Sequence, residues 1–464
     1  MKVLFSNPPW WTDTTLGSDG RGNQFPIYGA GVRAGSRWPF TQYIAAPPDH
    51  FSFGAYLPYP FFMGYAATYT ARETGAEVVF RDSIALRESY QQFELFLLLQ
   101  QFDAIVIESA SPSWEHDSRL IERINWLLPR CRIIVTGPIA SQSDRILREL
   151  PVHACIRGEY EKGMVRALNG TSGLIDFDLL TLEEMNAAPF PYYDETIAHR
   201  YWDANPRGMV PPQAQVWSSR GCPYKCIFCV WPATMTGNDP DGTQKRSVRH
   251  YKPDYMEAFL SELVGKYRYR TIYFDDDTFN LGDKHVERMC AVMRKINVPW
   301  SAMCRADTIR IDLWQEMKDS GCFGVKIGFE SGNQQVVDTI VNKRLDLDYA
   351  REAVAEIKRV GMTVHGTFTY GLPGETAAQM QDTKRYIATL GLDTLQESGC
   401  AEIEGTPLHT LNTTHTLEKY AGARLGDDYM RELDGRVKFD KLAALLQPTG
   451  ELGPGDGEPN NAGP

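Results

Sequence analysis

Cys222, Cys226 and Cys229 stand in the pattern C-x3-C-x2-C, the one tight grouping among the chain's nine cysteines. Thiolates are the usual ligands of iron–sulfur clusters, and a four-iron cluster usually takes four ligands. Three thiolates on one short loop therefore leave one iron open to an external chelator. Structural zinc is the rival reading, but zinc knuckles combine C-x2-C pairs with a further Cys or His to complete a tetrahedron. No second pair occurs in the chain. Buried, unliganded thiols suit the segment less well, because it is rich in Gly, Pro and Lys. The remaining six cysteines are scattered, and the total of nine is odd. Both features point to a reducing compartment, the cytoplasm, and not to disulfide staples.

The elements that must carry this loop follow from hydrophobic periodicity. The first part alternates strands, expected over 2–6, 77–81, 103–108, 132–136 and 153–157, with helices over 61–73, 86–100, 116–127 and 141–149. That rhythm predicts a doubly wound, Rossmann-like parallel sheet over residues 1–165, with ligands beyond its carboxyl strand ends. Residues 166–212 lose the rhythm and are rich in Pro and Tyr, as a connector would be. A second series follows, with strands expected over 214–218, 271–275, 300–304, 325–329, 363–370 and 394–398. Helices between them are expected over 255–266, 284–296, 312–319, 334–341, 348–360 and 377–390. Six such units predict a partial (β/α)6 TIM-type barrel over 213–408, active at its carboxyl strand ends. Residues 409–446 are expected to form a helical extension, and 447–464 a disordered tail.

Composition excludes several functions. The chain has 464 residues, 43% hydrophobic and 23% charged, ample for packed domains. With 48 Lys and Arg against 59 Asp and Glu, the net charge is −11, which disfavours generic nucleic-acid binding. No apolar run is long enough for a membrane span, and the N-terminus turns polar too early for a secretory leader.

The run Ser219-Arg220-Gly221-Cys222-Pro223-Tyr224-Lys225-Cys226-Ile227-Phe228-Cys229 strongly resembles the cysteine loop of the radical S-adenosylmethionine superfamily. The resemblance implies that Cys222, Cys226 and Cys229 hold a [4Fe–4S] cluster whose open iron binds S-adenosylmethionine, cleaved reductively to a 5′-deoxyadenosyl radical. It also implies an external electron donor of flavodoxin or ferredoxin type. Phe228 would lie near the adenine. Further motifs sit at successive strand ends: Asp276-Asp277, Arg305, Glu330-Ser331 and the turn from Gly371 to Thr376. By resemblance, Asp276, Asp277, Arg305, Glu330, Ser331 and Gly371 contact S-adenosylmethionine, with Arg305 able to take a carboxylate bidentately. Each also has a local reading: a helix cap, a satisfied strand-end carboxylate, or a turn with an N-cap.

The first part lacks a Gly-rich nucleotide loop. Its order of features resembles the cobalamin-binding domain that precedes the barrel in one subfamily, the class B methyltransferases. The resemblance implies cobalamin contacts from Pro8, Tyr59, Ser109, Ser111, Gly137, Gly158 and Glu159. No D-x-H-x-x-G signature is present, and neither Asp49-His50 nor His116 fits it. Cobalamin is therefore expected without a histidine on cobalt, with Tyr59 or an adjacent loop residue beside its lower face. The implied reaction is methylation of an unactivated carbon of a small-molecule or lipid-like substrate. A cobalamin-dependent cyclase or rearrangement enzyme would share these motifs, and a non-enzymatic corrinoid or redox sensor would not need them all. A methylthiotransferase should carry a second cysteine triplet, which is absent.

Overall fold

Ala104–Glu108 (AIVIE) and Arg132–Thr136 (RIIVT) are apolar without alternation, the pattern of strands covered on both faces. They lie inside a six-stranded parallel sheet made of β1 (Lys2–Asn7), β2 (Glu77–Asp82), β3 (Ala104–Glu108), β4 (Arg132–Thr136), β5 (Ala154–Ile156) and β6 (Gly173–Ile175). The spatial order is β6-β5-β4-β3-β1-β2, which reverses between β1 and β3. A ligand crevice therefore opens above the carboxyl ends of those two strands. The computed structural model describes residues 1–10, 15–18, 24–31, 40–45, 51–53, 56–194, 200–236, 248–400 and 405–413. The helical extension expected over 409–446 is described only to residue 413, where helix Pro407–Thr413 ends; the rest of it and the tail from 447 lie outside these residues, as do Asp49 and His50.

Two expectations need correction, and one further sheet is present. The helix expected over 86–100 is two helices, Ser83–Leu86 and Tyr90–Gln100. Asp82 caps the first, Arg87 ends it in a left-handed conformation, and Ser89 restarts the chain through a capping box with Gln92. The connector contributes β6, which is only three residues long and too short to show periodicity. Four antiparallel strands, Thr15–Ser18, Gln24–Gly31, Phe40–Ala45 and Phe51–Phe53, form a sheet for which no expectation had been drawn.

The second unit is an open six-stranded parallel sheet in consecutive order. Its strands are β7 (Gln213–Val216), β8 (Thr271–Phe274), β9 (Trp300–Cys304), β10 (Cys322–Glu330), β11 (Thr363–Tyr370) and β12 (Thr394–Gly399). Amphipathic helices such as Asp283–Ile296 and Leu347–Arg359 cover its outside through apolar residues three and four apart. The helix expected over 334–341 is a π-helical turn, Val336–Ile340. Asp203 of the connector, in a two-residue ladder with Tyr56–Leu57, pairs with the buried Lys326 of β10. The two units share one apolar core. Helix Phe61–Thr74 of the first packs Phe61 on Trp217 of the second, with ring centroids 4.3 Å apart.

Glu108 closes β3 as a buried carboxyl, with Tyr160 donating to one oxygen at 2.7 Å. Its other oxygen has no partner among the described residues. Burial pushes its pKa up to about 7. The folded chain therefore keeps a proton that the unfolded chain releases near pH 4.5, so this group's stabilisation fades as pH rises through about 7. Glu108→Gln cannot titrate. Between pH 5 and 8 its stability relative to the parent is expected to improve by about 2 kcal/mol. Thermal denaturation of both proteins across that range checks it, and parallel pH profiles would contradict it.

Candidate active site

Immediately after β7 the chain runs Ser218-Ser219-Arg220-Gly221-Cys222, and its course is set from below by Asp276 at the end of β8. The Asp276 carboxylate accepts from the Ser218 amide at 3.1 Å, the Ser218 hydroxyl at 2.9 Å and the Ser219 hydroxyl at 2.6 Å. It is fully buried, and burial lifts its pKa to about 6. His285 Nε2 lies 2.9 Å from the Ser218 hydroxyl, and burial drops this imidazole to about 3, so it is neutral. Asp276, expected from sequence to contact S-adenosylmethionine, is here turned to the cysteine loop and organises it. A loop that turns beneath a strand end needs acceptors for its own donors, and Asp276 supplies them.

The loop is also held from the side. The Ile227 amide donates to Val341 O at 3.1 Å, Asn342 Nδ2 to Lys225 O at 3.3 Å, and the Leu408 amide to Ile227 O at 2.8 Å. Cys222 is buried, its sulfur 3.7 Å from Thr278 Oγ1, while Cys226 and Cys229 are half-buried. Burial raises the Cys222 thiol to about 11, and the neighbouring Asp277 carboxylate adds to the rise. Phe228, Cys226 and Cys400 pack on the same small apolar group, Val336, Val341 and Leu372.

Arg305 differs from its expected role. Its guanidinium donates twice to Asp307, at 2.9 and 2.8 Å, and lies 3.7 Å over the ring of Tyr224, inside the cysteine loop. The bidentate partner is therefore a carboxylate of its own turn, and the side chain braces the loop. Glu330 sits at a bulge of β10 with a left-handed φ of 69°, which turns its carboxylate toward Lys343 at 2.9 Å and Thr369 at 3.1 Å. Ser331 contacts Thr383 at 3.1 Å. The Gly371 amide donates to Glu375 at 2.9 Å, and burial holds Glu375 at about 7. Sequence reasoning missed Lys343, which stands beside Arg344 with no motif around it. It also passed over Glu375, although the turn that carries it was recognised.

In the first unit, several expected cobalamin contacts turn into the protein. Tyr59, expected beside the lower face of cobalamin, is 1% exposed and stacked on Tyr193 at 4.7 Å, as a core residue is. The Ser109 hydroxyl donates to buried Asp117 at 2.6 Å. A Cβ on Gly137 would sit 2.5 Å from Ser109 O, and one on Gly158 2.5 Å from the Phe177 ring, so both glycines serve close packing. Glu159 is buried in ion pairs with Arg220 and Arg249. Pro8 is buried at the end of β1, and Ser111 borders a groove of about 490 Å³. A second cleft, of about 330 Å³, joins Ser141 and Gln142 beyond β4, Arg157 beyond β5, Thr234 after the cysteines, and His409.

Residues 218–387 match the Radical SAM superfamily. The chain carries a radical SAM domain. An uncharacterized methyltransferase of Pyrococcus horikoshii is 25% identical over 374 residues, 75% of this chain and 77% of its own length. Cytidylyl-2-hydroxyethylphosphonate methyltransferase of Streptomyces wedmorensis is 26% identical over 240 residues, 48% of this chain and 43% of that protein. The chain thus spans less than half of this second relative. The radical S-adenosylmethionine methyltransferase TsrM of Kitasatospora setae, solved with cobalamin and a [4Fe–4S] cluster, superposes with a TM-score of 0.61 at 12% identity, over 88% of this chain and 76% of that one. The cobalamin-dependent radical enzyme OxsB, with aqua-cobalamin, gives 0.56 at 14% identity, over 88% and 66%. At these identities the likeness is one of fold: a parallel α/β sheet ahead of an open barrel. The family match covers residues 218–387, within the second unit, and the protein is an enzyme.

The donor set of the radical SAM domain suits a cluster. Among the described residues no three His, Cys, Asp or Glu side chains converge on a single ion position. A cubane takes each thiolate on a different iron, so its ligands surround it and need not meet at a point. A thiol held as high as Cys222 becomes a thiolate once metal binds it.

Proposed function

We propose that the protein is a cobalamin-dependent radical SAM methyltransferase acting on an unactivated carbon of a small-molecule or lipid-like substrate. One observation carries this reading: the cleft of about 330 Å³ is lined jointly by the carboxyl ends of β4 and β5 and by the segment just past the cysteines. A ligand above the first sheet and a cluster on the loop would therefore face the same space. Relatives named as methyltransferases, and neighbours of the same two-part fold, support the assignment.

When bound, the cluster and cobalamin would supply, from S-adenosylmethionine, the hydrogen-abstracting radical and the transferred methyl group. The chain's own residues position and shield. Cys222, Cys226 and Cys229 hold the cluster. Phe228, on the apolar group that includes Leu372 beside Gly371, packs against the adenosine. The Glu330–Lys343 pair presents both a carboxylate and an ammonium to an amino acid's two charged groups. Asp277 and Ser331 complete the rim, and Pro8 and Ser111 border the corrinoid side. The acidic balance of the chain favours a small substrate over nucleic acid. Among the described residues no helix is long and apolar enough to cross a membrane, and all nine cysteines are free, in keeping with a reducing cytoplasm.

Product stoichiometry tests the reaction. With an authentic substrate, S-adenosylhomocysteine and 5′-deoxyadenosine should form in comparable amounts, with deuterium passing from substrate into 5′-deoxyadenosine. Accumulation of 5′-deoxyadenosine alone would replace this reading with a cyclase or rearrangement enzyme. Neither product would point to a sensor.

A further inference from the structure

Ser219 and Arg220 pair antiparallel with His250 and Arg249, so a two-residue ladder closes the neck of the excursion that carries the three cysteines. On one face this neck is tied to the barrel: the Ser219 hydroxyl donates to Asp276, and His250 stacks on His285 at 4.1 Å. On the other face Arg220 and Arg249 stand directly opposite each other. Like charges so placed repel, and here they are 2% and 8% exposed, with little water to screen them.

The anions that answer them come from the first unit. Glu159, two residues past the expected end of β5, engages both arginines. Its Oε2 accepts from Arg220 Nη1 at 3.0 Å and Arg249 Nη1 at 3.1 Å, and its Oε1 pairs with Arg249 Nη2. Glu161, at the start of helix Glu161–Leu168, accepts from Arg220 Nη1 at 2.6 Å. Arg220 is further bracketed by the Tyr251 hydroxyl at 3.1 Å and the Tyr65 ring at 4.3 Å. Two carboxylates thus balance two guanidiniums at a site closed to solvent. Breaking such a set on one side is costly, whereas removing opposite charges together is not.

We propose that Glu159 is a positioning residue that clamps the neck of the cysteine loop from the first unit, so that the first sheet sets where the cluster stands. The inference rests on the cluster-ligand reading of Cys222, Cys226 and Cys229. It gives Glu159 a role other than contact with a corrinoid. Because Gly158-Glu159 follows the carboxyl end of β5, the loop is referenced to the first sheet as well as to the barrel.

Three variants of the full chain, reconstituted anaerobically, test this: Glu159→Gln, Arg249→Met and both together. Glu159→Gln leaves two buried guanidiniums facing one carboxylate, and its iron content should fall by roughly threefold or more. Arg249→Met alone leaves an excess carboxylate and should be impaired as well. The double variant is balanced again, with Arg220 on Glu161, and should regain most of the parent's iron and the paramagnetic line shape of its reduced cluster. A Glu159 that served only a ligand of the first sheet would show the same defect with or without Arg249→Met. Full iron in Glu159→Gln, or a double variant no better than it, overturns the clamp. Should Glu159→Gln fail to fold, the double variant decides: recovery of fold and cluster supports the clamp, and failure overturns it. Corrinoid uptake measured on the same samples keeps the two readings apart. A parent that takes up none loses the cobalamin assignment while the charge rescue still stands or falls by itself.

Discussion

Cys222→Ala/Cys226→Ala/Cys229→Ala, reconstituted anaerobically, is expected to lose the visible absorbance of the cluster and to drop from about four irons per chain to near zero. The physical basis is the absence of substitutes. Cys155, Cys290, Cys304 and Cys322 are buried, and Cys131 lies in the first unit at the start of β4. Cys400 is the informative control, because it packs on the same apolar group as Cys226. Cys400→Ser should keep both iron and absorbance, since the loop supplies three ligands without it. Absorbance that persists in the triple variant would sink the assignment. A parent that binds one colourless metal ion would restore the zinc reading.

Asp276→Ala should destabilise the protein by about 3 kcal/mol, because it strands the buried Ser218 amide and removes the acceptor of the Ser219 hydroxyl. The serine hydroxyls can rotate, but the Ser218 amide cannot, and all of them sit under the cysteine loop. Cluster loading should fall with the melting temperature, and Asp276→Asn, which keeps one acceptor oxygen, should recover part of both. Denaturation and iron content measured together make the check. An Asp276→Ala protein of unchanged stability that merely binds S-adenosylmethionine more weakly would return Asp276 to the ligand role expected from sequence. Arg305 poses the same question in milder form, since Asp307 and Tyr224 already occupy its guanidinium.

The contrast between expectation and structure has a consistent cause. The barrel strands at Trp300–Cys304 and Thr363–Tyr370 and the helix Ala377–Leu390 lie where periodicity alone puts them, because long apolar patterns bounded by turns leave few alternatives. The three-residue β6 and the break at Arg87 were not legible, because one is stabilised by its neighbour β5 and the other turns on a left-handed arginine, a residue type that suits a helix interior.

Chemistry that resides in covalent spacing was readable from sequence alone: three thiols on one loop after a strand need no tertiary information to be recognised as a ligand set. The order of two parallel α/β units was readable for the same reason, since periodicity is local. Which carboxylates and guanidiniums face a ligand, and which neutralise one another, was decided only in three dimensions. Glu159 and Arg220 are 61 residues apart, and Asp276 and Ser218 are 58 apart. At such separations residue type carries no record of the partner, and a strand-end acid reads alike whether it points into a cleft or braces a loop. Burial makes the difference, because a charge removed from water must be met by the protein itself, and only packing shows where that happens.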